Sequence, residues 1–84
     1  MLSIIIINYN TFSLTCKCIE SILQYTQGVS YEIILVDNAS TECDADKFLE
    51  FFPQITLIKS PENVGFARGN NLGLQYAKGE YILL

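Results

Sequence analysis

The polar residues with the most chemical capacity in this 84-residue sequence stand just after two apolar runs. Ser3 to Ile7 is closed by Asn8, Tyr9 and Asn10, and Ile33 to Val36 is closed by Asp37, Asn38, Ala39 and Ser40. Tyr9 offers an aromatic face for stacking, and Asp37 offers a carboxylate that accepts a hydrogen bond from a ring N–H, as uracil and thymine both present. The same residues have local uses: Asp37 suits the cap of the turn after it, Tyr9 suits packing on the next helix, and Asn8 and Asn10 are turn formers, Asn10 also a candidate cap. There is no His, which removes the commonest general base, the Ser/His/Asp and Cys/His pairs, and most zinc chemistry. Neither loop contains the Gly-x-Gly-x-x-Gly turn of a dinucleotide site or the Gly-rich Lys-Ser/Thr loop that grips phosphates.

Other chemistry-bearing residues carry less. Cys16 and Cys18, two apart on a helix, point to different faces, and with Cys43 they make an odd number that does not suit a disulfide scaffold. Asp44-Ala45-Asp46 has the spelling of an Asp-x-Asp metal motif but sits at the start of a helix, where carboxylates favour the dipole by roughly 0.3–1 kcal/mol each. Arg68 falls in the first turns of a later helix, where an anion would gain from both guanidinium and dipole; a solvated cation is the plain alternative. Asn70 and Asn71 are poor helix formers, so at least one is expected to have a partner, whether ligand or backbone.

The elements that must position these groups follow from periodicity. Ser3–Ile7, Glu32–Val36, the Ile55–Ile58 stretch and Tyr81–Leu84 read as strands, the first two buried on both faces. Helices are expected over Ser13–Gln27, capped by Ser13 or Thr11; over Cys43–Phe52, stopped by Pro53; and over Gly65–Ala77, with Phe66, Asn70, Leu74 and Ala77 on one side and Gly79 as stop. The order β-α-β-α-β-α-β, with connections too long for hairpins, predicts an α/β three-layer sandwich on a parallel sheet with right-handed crossovers. Ligands bind beyond the carboxyl ends of such strands, where Tyr9 and Asp37 lie. A hydrophobic content of 50% with 17% charged residues excludes a disordered tail, and a net charge of −4 with scattered cations argues that no nucleic acid is bound. No apolar run approaches the roughly 20 residues of a membrane span.

Four motifs, Ser3-Ile-Ile-Ile-Ile-Asn-Tyr-Asn10, Glu32-Ile-Ile-Leu-Val-Asp-Asn-Ala-Ser40, Asn63-Val-Gly-Phe-Ala-Arg-Gly-Asn-Asn-Leu-Gly73 and Lys78-Gly-Glu-Tyr-Ile-Leu83, together resemble the start of a family 2 glycosyltransferase. The likeness is strongest to the branch with rhamnosyl- and related transferases of bacterial surface polysaccharides, and it covers essentially the whole chain. It implies the N-terminal, Rossmann-like half of a GT-A fold, residues 1–84 forming one truncated nucleotide-binding half domain. It further implies that Asn8, Tyr9, Asn10 and Asp37 hold the base of a UDP- or dTDP-sugar. Asn38, where many relatives have a second Asp, and Ser40 line the same loop, while Arg68 faces the diphosphate and Asn70 passes near the nucleotide. The resemblance places the metal-binding Asp-x-Asp motif and the catalytic carboxylate after the stretch matched here. Mg2+ or Mn2+ is therefore expected for the full-length enzyme and none for this part alone, with no catalytic residue in it. The implied reaction is inverting transfer to a saccharide or lipid-linked acceptor, in a cytoplasmic protein that is membrane-associated or not at full length.

Two rival readings come from other classes. A non-catalytic interaction or regulatory module would self-associate through residues 81–84, an apolar strand with nothing after it to cover it. A receiver-like domain with Asp37 as phosphoacceptor lacks the acidic pair expected after the first strand, where this chain has Asn8 and Asn10.

Overall fold

The computed structural model describes residues 1–79 and 81–83, so Glu80 and Leu84 of the fourth-strand motif lie outside the described residues. Among the described residues seven elements alternate: β1 (Leu2–Asn8), α1 (Phe12–Tyr25), β2 (Tyr31–Asp37), α2 (Lys47–Phe51), β3 (Thr56–Lys59), α3 (Gly65–Leu74) and β4 (Tyr81–Leu83). The strands pair in parallel in the order β3-β2-β1-β4, which is the α/β architecture expected of the sequence. β1 and β2 are in register from Leu2 opposite Tyr31 to Asn8 opposite Asp37, so the two polar strand ends finish side by side.

Strand alternation sorts the apolar residues onto two faces. Ile33 and Leu35 point to the face covered by α1 and α2, where they bury Ile19, Ala45, Phe48, Phe52 and Ile55. Phe12, at the start of α1, stacks on Phe48 with centroids 4.6 Å apart and so joins the two helices. Ile5, Ile7 and Val36 point to the other face, against α3. Burying both faces explains why β1 and β2 read as unbroken β-branched runs rather than as alternating ones.

The helices depart from their sequence-based limits for local reasons. α2 is shorter than Cys43–Phe52: the backbone N–H of Lys47, Phe48 and Leu49 bond three residues back, and Asp44 Oδ1 accepts the Asp46 N–H, so residues 43–46 form tight turns. α3 stops at Leu74 rather than Ala77, because Tyr76 and Ala77 also bond three residues back. Its buried face is not Phe66, Leu74 and Ala77. Phe66 is 70% exposed, and the residues against the sheet are Gly69, Asn70 and Gly73. A Cβ on Gly73 would lie 2.6 Å from Ile5 Cγ2 and 3.3 Å from Val36 Cγ2, so the sheet supplies the apolar bulk and the helix the space.

A second polar cluster fastens the α3–β4 turn to the N-terminal end of the sheet. Glu32 Oε2 accepts from the Ser3 hydroxyl at 2.6 Å and the Lys78 N–H at 2.7 Å, and Ser3 Oγ accepts the Gly79 N–H at 2.8 Å. Burial pushes the Glu32 carboxyl up, but the hydrogen bonds from Ser3, Lys78 and Gly79 and the Lys78 charge outweigh it and hold the group below its ordinary value. Gly79 does not stop α3, which ends five residues earlier; it is needed for closeness, since a Cβ there would lie 2.5 Å from the Met1 carbonyl. Among the described residues no helix is long and apolar enough to cross a membrane.

Candidate functional site

At the carboxyl ends of β1 and β2 the polar residues form one connected network. Asn8 is 1% exposed, and all four hydrogen-bonding positions of its carboxamide are taken inside the protein. Its Nδ2 donates to Asp37 Oδ1 at 2.8 Å and Ser40 Oγ at 3.0 Å; its Oδ1 accepts from the Thr11 hydroxyl at 3.0 Å and the Thr15 hydroxyl at 2.8 Å. Asp37, 4% exposed, also accepts the Ser40 N–H at its Oδ2. The carboxylate thus caps its own turn, and each oxygen keeps a free lone pair.

The loops are laced together by exchange of such bonds. Ser40 Oγ accepts the Asn10 N–H at 2.9 Å, while Asn10 Oδ1 accepts the N–H groups of Thr41 and Glu42 at 2.8 and 3.1 Å. Asn10 caps the partner loop rather than α1. Thr11 occupies the N-cap position without a side-chain cap bond because its hydroxyl is turned to Asn8, and the Phe12 N–H is met by Glu42 Oε1 at 2.6 Å. Asn10 and Ala39 both take left-handed backbone, with φ of +53° and +63°, a conformation Asn tolerates and Ala does not favour. Asn38, 2% exposed, reaches the other way: Nδ2 donates to the Gly65 carbonyl at 3.2 Å and Oδ1 accepts the Val64 N–H at 3.1 Å. That pins the start of α3, where Gly65 has φ +82°, to the end of β2.

The structure therefore brings together Asn8, Tyr9, Asn10, Asp37, Asn38 and Ser40. Tyr9 is flanked by two members of the network and 46% exposed, leaving its ring free at the rim. Arg68 lies exposed on α3 and, among the described residues, forms no ion pair. Asn70 is separated from the network: it is 6% exposed and lines an apolar groove of about 370 Å3 along the edge of β1, with Ile5, Ile7, Phe66 and Leu83. Its Oδ1 has no hydrogen-bond partner among the described residues. Sequence reasoning missed Thr15 and Glu42 and gave Thr11 the wrong task. Thr15 carried a signal, a β-branched polar residue at position 7 after Asn8 on the buried stripe of α1.

Of the network's hydrogen-bonding capacity, the Ser40 O–H proton has no acceptor among the described residues. A donor from Ser40 and acceptor lone pairs from Asp37 thus stand at the end of the sheet where such folds bind ligands, with Tyr9 exposed on the adjoining loop between Asn8 and Asn10. Among the described residues no three His, Cys, Asp or Glu side chains group to hold an ion. Asp46 is paired with Lys59 at 3.0 Å, and that hydrogen bond and charge push the Lys59 ammonium up. Burial, with Glu20 and Cys43 adding to it, raises the Cys16 thiol, which disfavours its thiolate.

The sequence is 35% identical over 89 aligned positions to the glycosyltransferase GlyG of Streptococcus pneumoniae serotype 4, covering 100% of this chain and 29% of that protein. It is 33% identical over 87 positions to the poly(ribitol-phosphate) beta-glucosyltransferase of Bacillus spizizenii, covering 98% of this chain and 14% of the relative. The fold superposes with a TM-score of 0.83 on the mannosyltransferase PcManGT of Pyrobaculum calidifontis, solved with GDP-Man and Mn2+, at 26% identity, 96% of this chain and 25% of that one. The chain thus spans less than a third of each. Residues 3–84 match the pattern of glycosyl transferase family 2, and with a parallel sheet, a strand-end polar network and relatives of this kind, the chain belongs to that family.

Proposed function

We propose that these 84 residues form the donor-binding part of an inverting glycosyltransferase that takes its sugar from UDP or dTDP and passes it to a saccharide or lipid-linked acceptor, in surface polysaccharide synthesis. The observation that carries the reading is the juxtaposition at the β1 and β2 ends: Asp37 offers an acceptor, Ser40 a donor and Tyr9 a face. A ring N–H beside a carbonyl, the imide edge of uracil and thymine, complements that pair while the ring stacks on Tyr9. The GDP-Man and Mn2+ in PcManGT support a sugar-nucleotide donor and a divalent cation for the whole enzyme. In this reading the cation's carboxylates and the general base that takes the acceptor proton come from polypeptide beyond the matched stretch, as the length of the relatives suggests. Arg68, exposed on α3, is the cation of this part that faces the diphosphate.

Calorimetric titration of the chain with UDP, dTDP and GDP, with and without Mg2+, tests this. Binding of UDP or dTDP that needs no metal and falls at least tenfold in Asp37→Ala supports it; equal binding by Asp37→Ala refutes the assignment of the base site. The rival reading, self-association through the β4 edge, has support in the exposure of Tyr81, Ile82 and Leu83. Sedimentation distinguishes it: a tight dimer that binds no nucleotide would favour it.

A further inference from the structure

We infer that Thr15, in the second turn of α1, is a positioning residue for the base site, acting through Asn8. The inference rests on the reading of the β1 and β2 ends as a nucleotide site and extends it to a residue that touches no ligand.

The Asn8 carboxamide sits one way round, with its nitrogen toward Asp37 and its oxygen toward α1. The Asp37 carboxylate offers only acceptors, so Nδ2 must face it and, beside it, Ser40 Oγ; Oδ1 is then forced toward α1, where it needs donors. Thr11 and Thr15 supply them, at 3.0 and 2.8 Å. Each hydroxyl has one proton and directs it to Asn8, so the 3.3 Å approach of the two hydroxyl oxygens is incidental. Thr15 makes the shorter bond and is buried within a helix, whereas Thr11 stands in the connection before it. Without the Thr15 hydroxyl, Asn8 Oδ1 keeps only the Thr11 donor, and the carboxamide, still turned by Asp37, is held less tightly in place. A turned carboxamide would set its oxygen against the Asp37 carboxylate.

The consequence reaches the ligand through Ser40. Asn8 Nδ2 and the Asn10 N–H fill both acceptor positions of Ser40 Oγ, which leaves its O–H proton pointing along the one remaining direction. Asn8 thus fixes both the Asp37 carboxylate and the direction of the Ser40 donor, and α1 fixes Asn8. Packing alone would not select Thr here, since Val fills the same volume without the hydroxyl.

Amide and side-chain NMR of the chain, with UDP as probe, tests this in Thr15→Val, Thr15→Ser and, as a packing control, Ile22→Val. We expect Thr15→Val to shift the Asn8 side-chain NH2 and the Ser40 amide and to weaken UDP about fivefold, as loss of one hydrogen bond would. Thr15→Ser should restore both within about twofold, and Ile22→Val should leave both unchanged even where it lowers the melting temperature. Unmoved Asn8 and Ser40 signals in Thr15→Val would overturn the inference, as would moved signals with unchanged UDP affinity. Failure of the unsubstituted chain to bind UDP, with the Asn8 and Ser40 signals still moving in Thr15→Val, would instead remove the nucleotide reading and confine Thr15 to loop geometry, overturning its role in binding.

Discussion

Replacing Asn8 by Asp changes one atom of the network, Nδ2 to oxygen, and turns a donor 2.8 Å from Asp37 Oδ1 into a second carboxylate oxygen. Two charges at that distance repel by roughly 6 kcal/mol at an effective dielectric of about 20. Protonating one carboxyl instead costs about 1.4 kcal/mol for each unit that the pH stands above an ordinary aspartate value near 3.9, or about 4 kcal/mol at pH 7. Protonation is the cheaper route, so the pair shares a proton, and the proton restores an O–H donor where Nδ2 stood. The sign follows: the folded variant holds this proton more tightly than the unfolded chain does, so its stability deficit grows as pH rises. We expect Asn8→Asp to be less stable than the parent by about 4 kcal/mol at pH 7 and about 1.5 kcal/mol at pH 5. Urea unfolding followed by circular dichroism at the two pH values measures both. Against a total of about 5–15 kcal/mol, the variant should be near its folding limit at pH 7 and recover in mild acid. A deficit that is the same at both pH values would refute the inward-facing geometry of Asn8.

Other expectations follow from single contacts. Gly73→Ala should cost about 1–2 kcal/mol, since overpacking against Ile5 and Val36 exceeds the roughly 1 kcal/mol gained in helix propensity; Gly69→Ala, whose one tight approach is to Ile7 Cδ1 at 3.1 Å, with Asn38 Nδ2 and Ile7 Cγ2 at an ordinary 3.5 Å, should be within about 0.5 kcal/mol of neutral or stabilising. Equal effects at the two positions in thermal unfolding would contradict the packing of α3. Ala39→Gly should raise stability by about 0.5 kcal/mol, the relief of φ +63° outweighing the looser unfolded chain; a lower melting temperature would count against that strain. Glu32, whose carboxyl is held below its ordinary value, contributes stability that is full above a pH near 4.3 and lost as pH falls through its folded-state value. The stability gap between the parent and Glu32→Gln should therefore narrow in acid, and a gap that widens would contradict the Ser3, Lys78 and Gly79 bonds.

What the sequence discloses and what it hides divide along the range of the interactions. The β-branched runs of β1 and β2 announce buried parallel strands, and their polar ends locate Tyr9 and Asp37, because burial and strand termination are written in neighbouring residues. The helix faces are less legible. Phe66 and Leu74 have helical spacing yet face outward, while Gly69 and Gly73 take the sheet, because the apolar bulk comes from Ile5, Ile7 and Val36 more than thirty positions away in chain order. The site's wiring is hidden for the same reason. Thr11 has the type of a helix cap but serves Asn8, and the actual partner of the Phe12 N–H is Glu42, thirty residues on. Helix propensity asks a partner for at least one of Asn70 and Asn71; Asn70 is buried, at the β1 edge rather than at the strand ends, and its Oδ1 has none among the described residues.

The most direct test of the base site is an isotope-filtered NOE spectrum of the labelled chain with unlabelled UDP. The account predicts contacts from the uracil H5 and H6 protons to the Tyr9 ring and to Ser40 Hβ, the side chains that flank the Asp37 carboxylate. Contacts running instead to Phe12, Phe51 and Phe52, which line the groove between α1 and α2, would place the base between those helices rather than at the strand ends and contradict it.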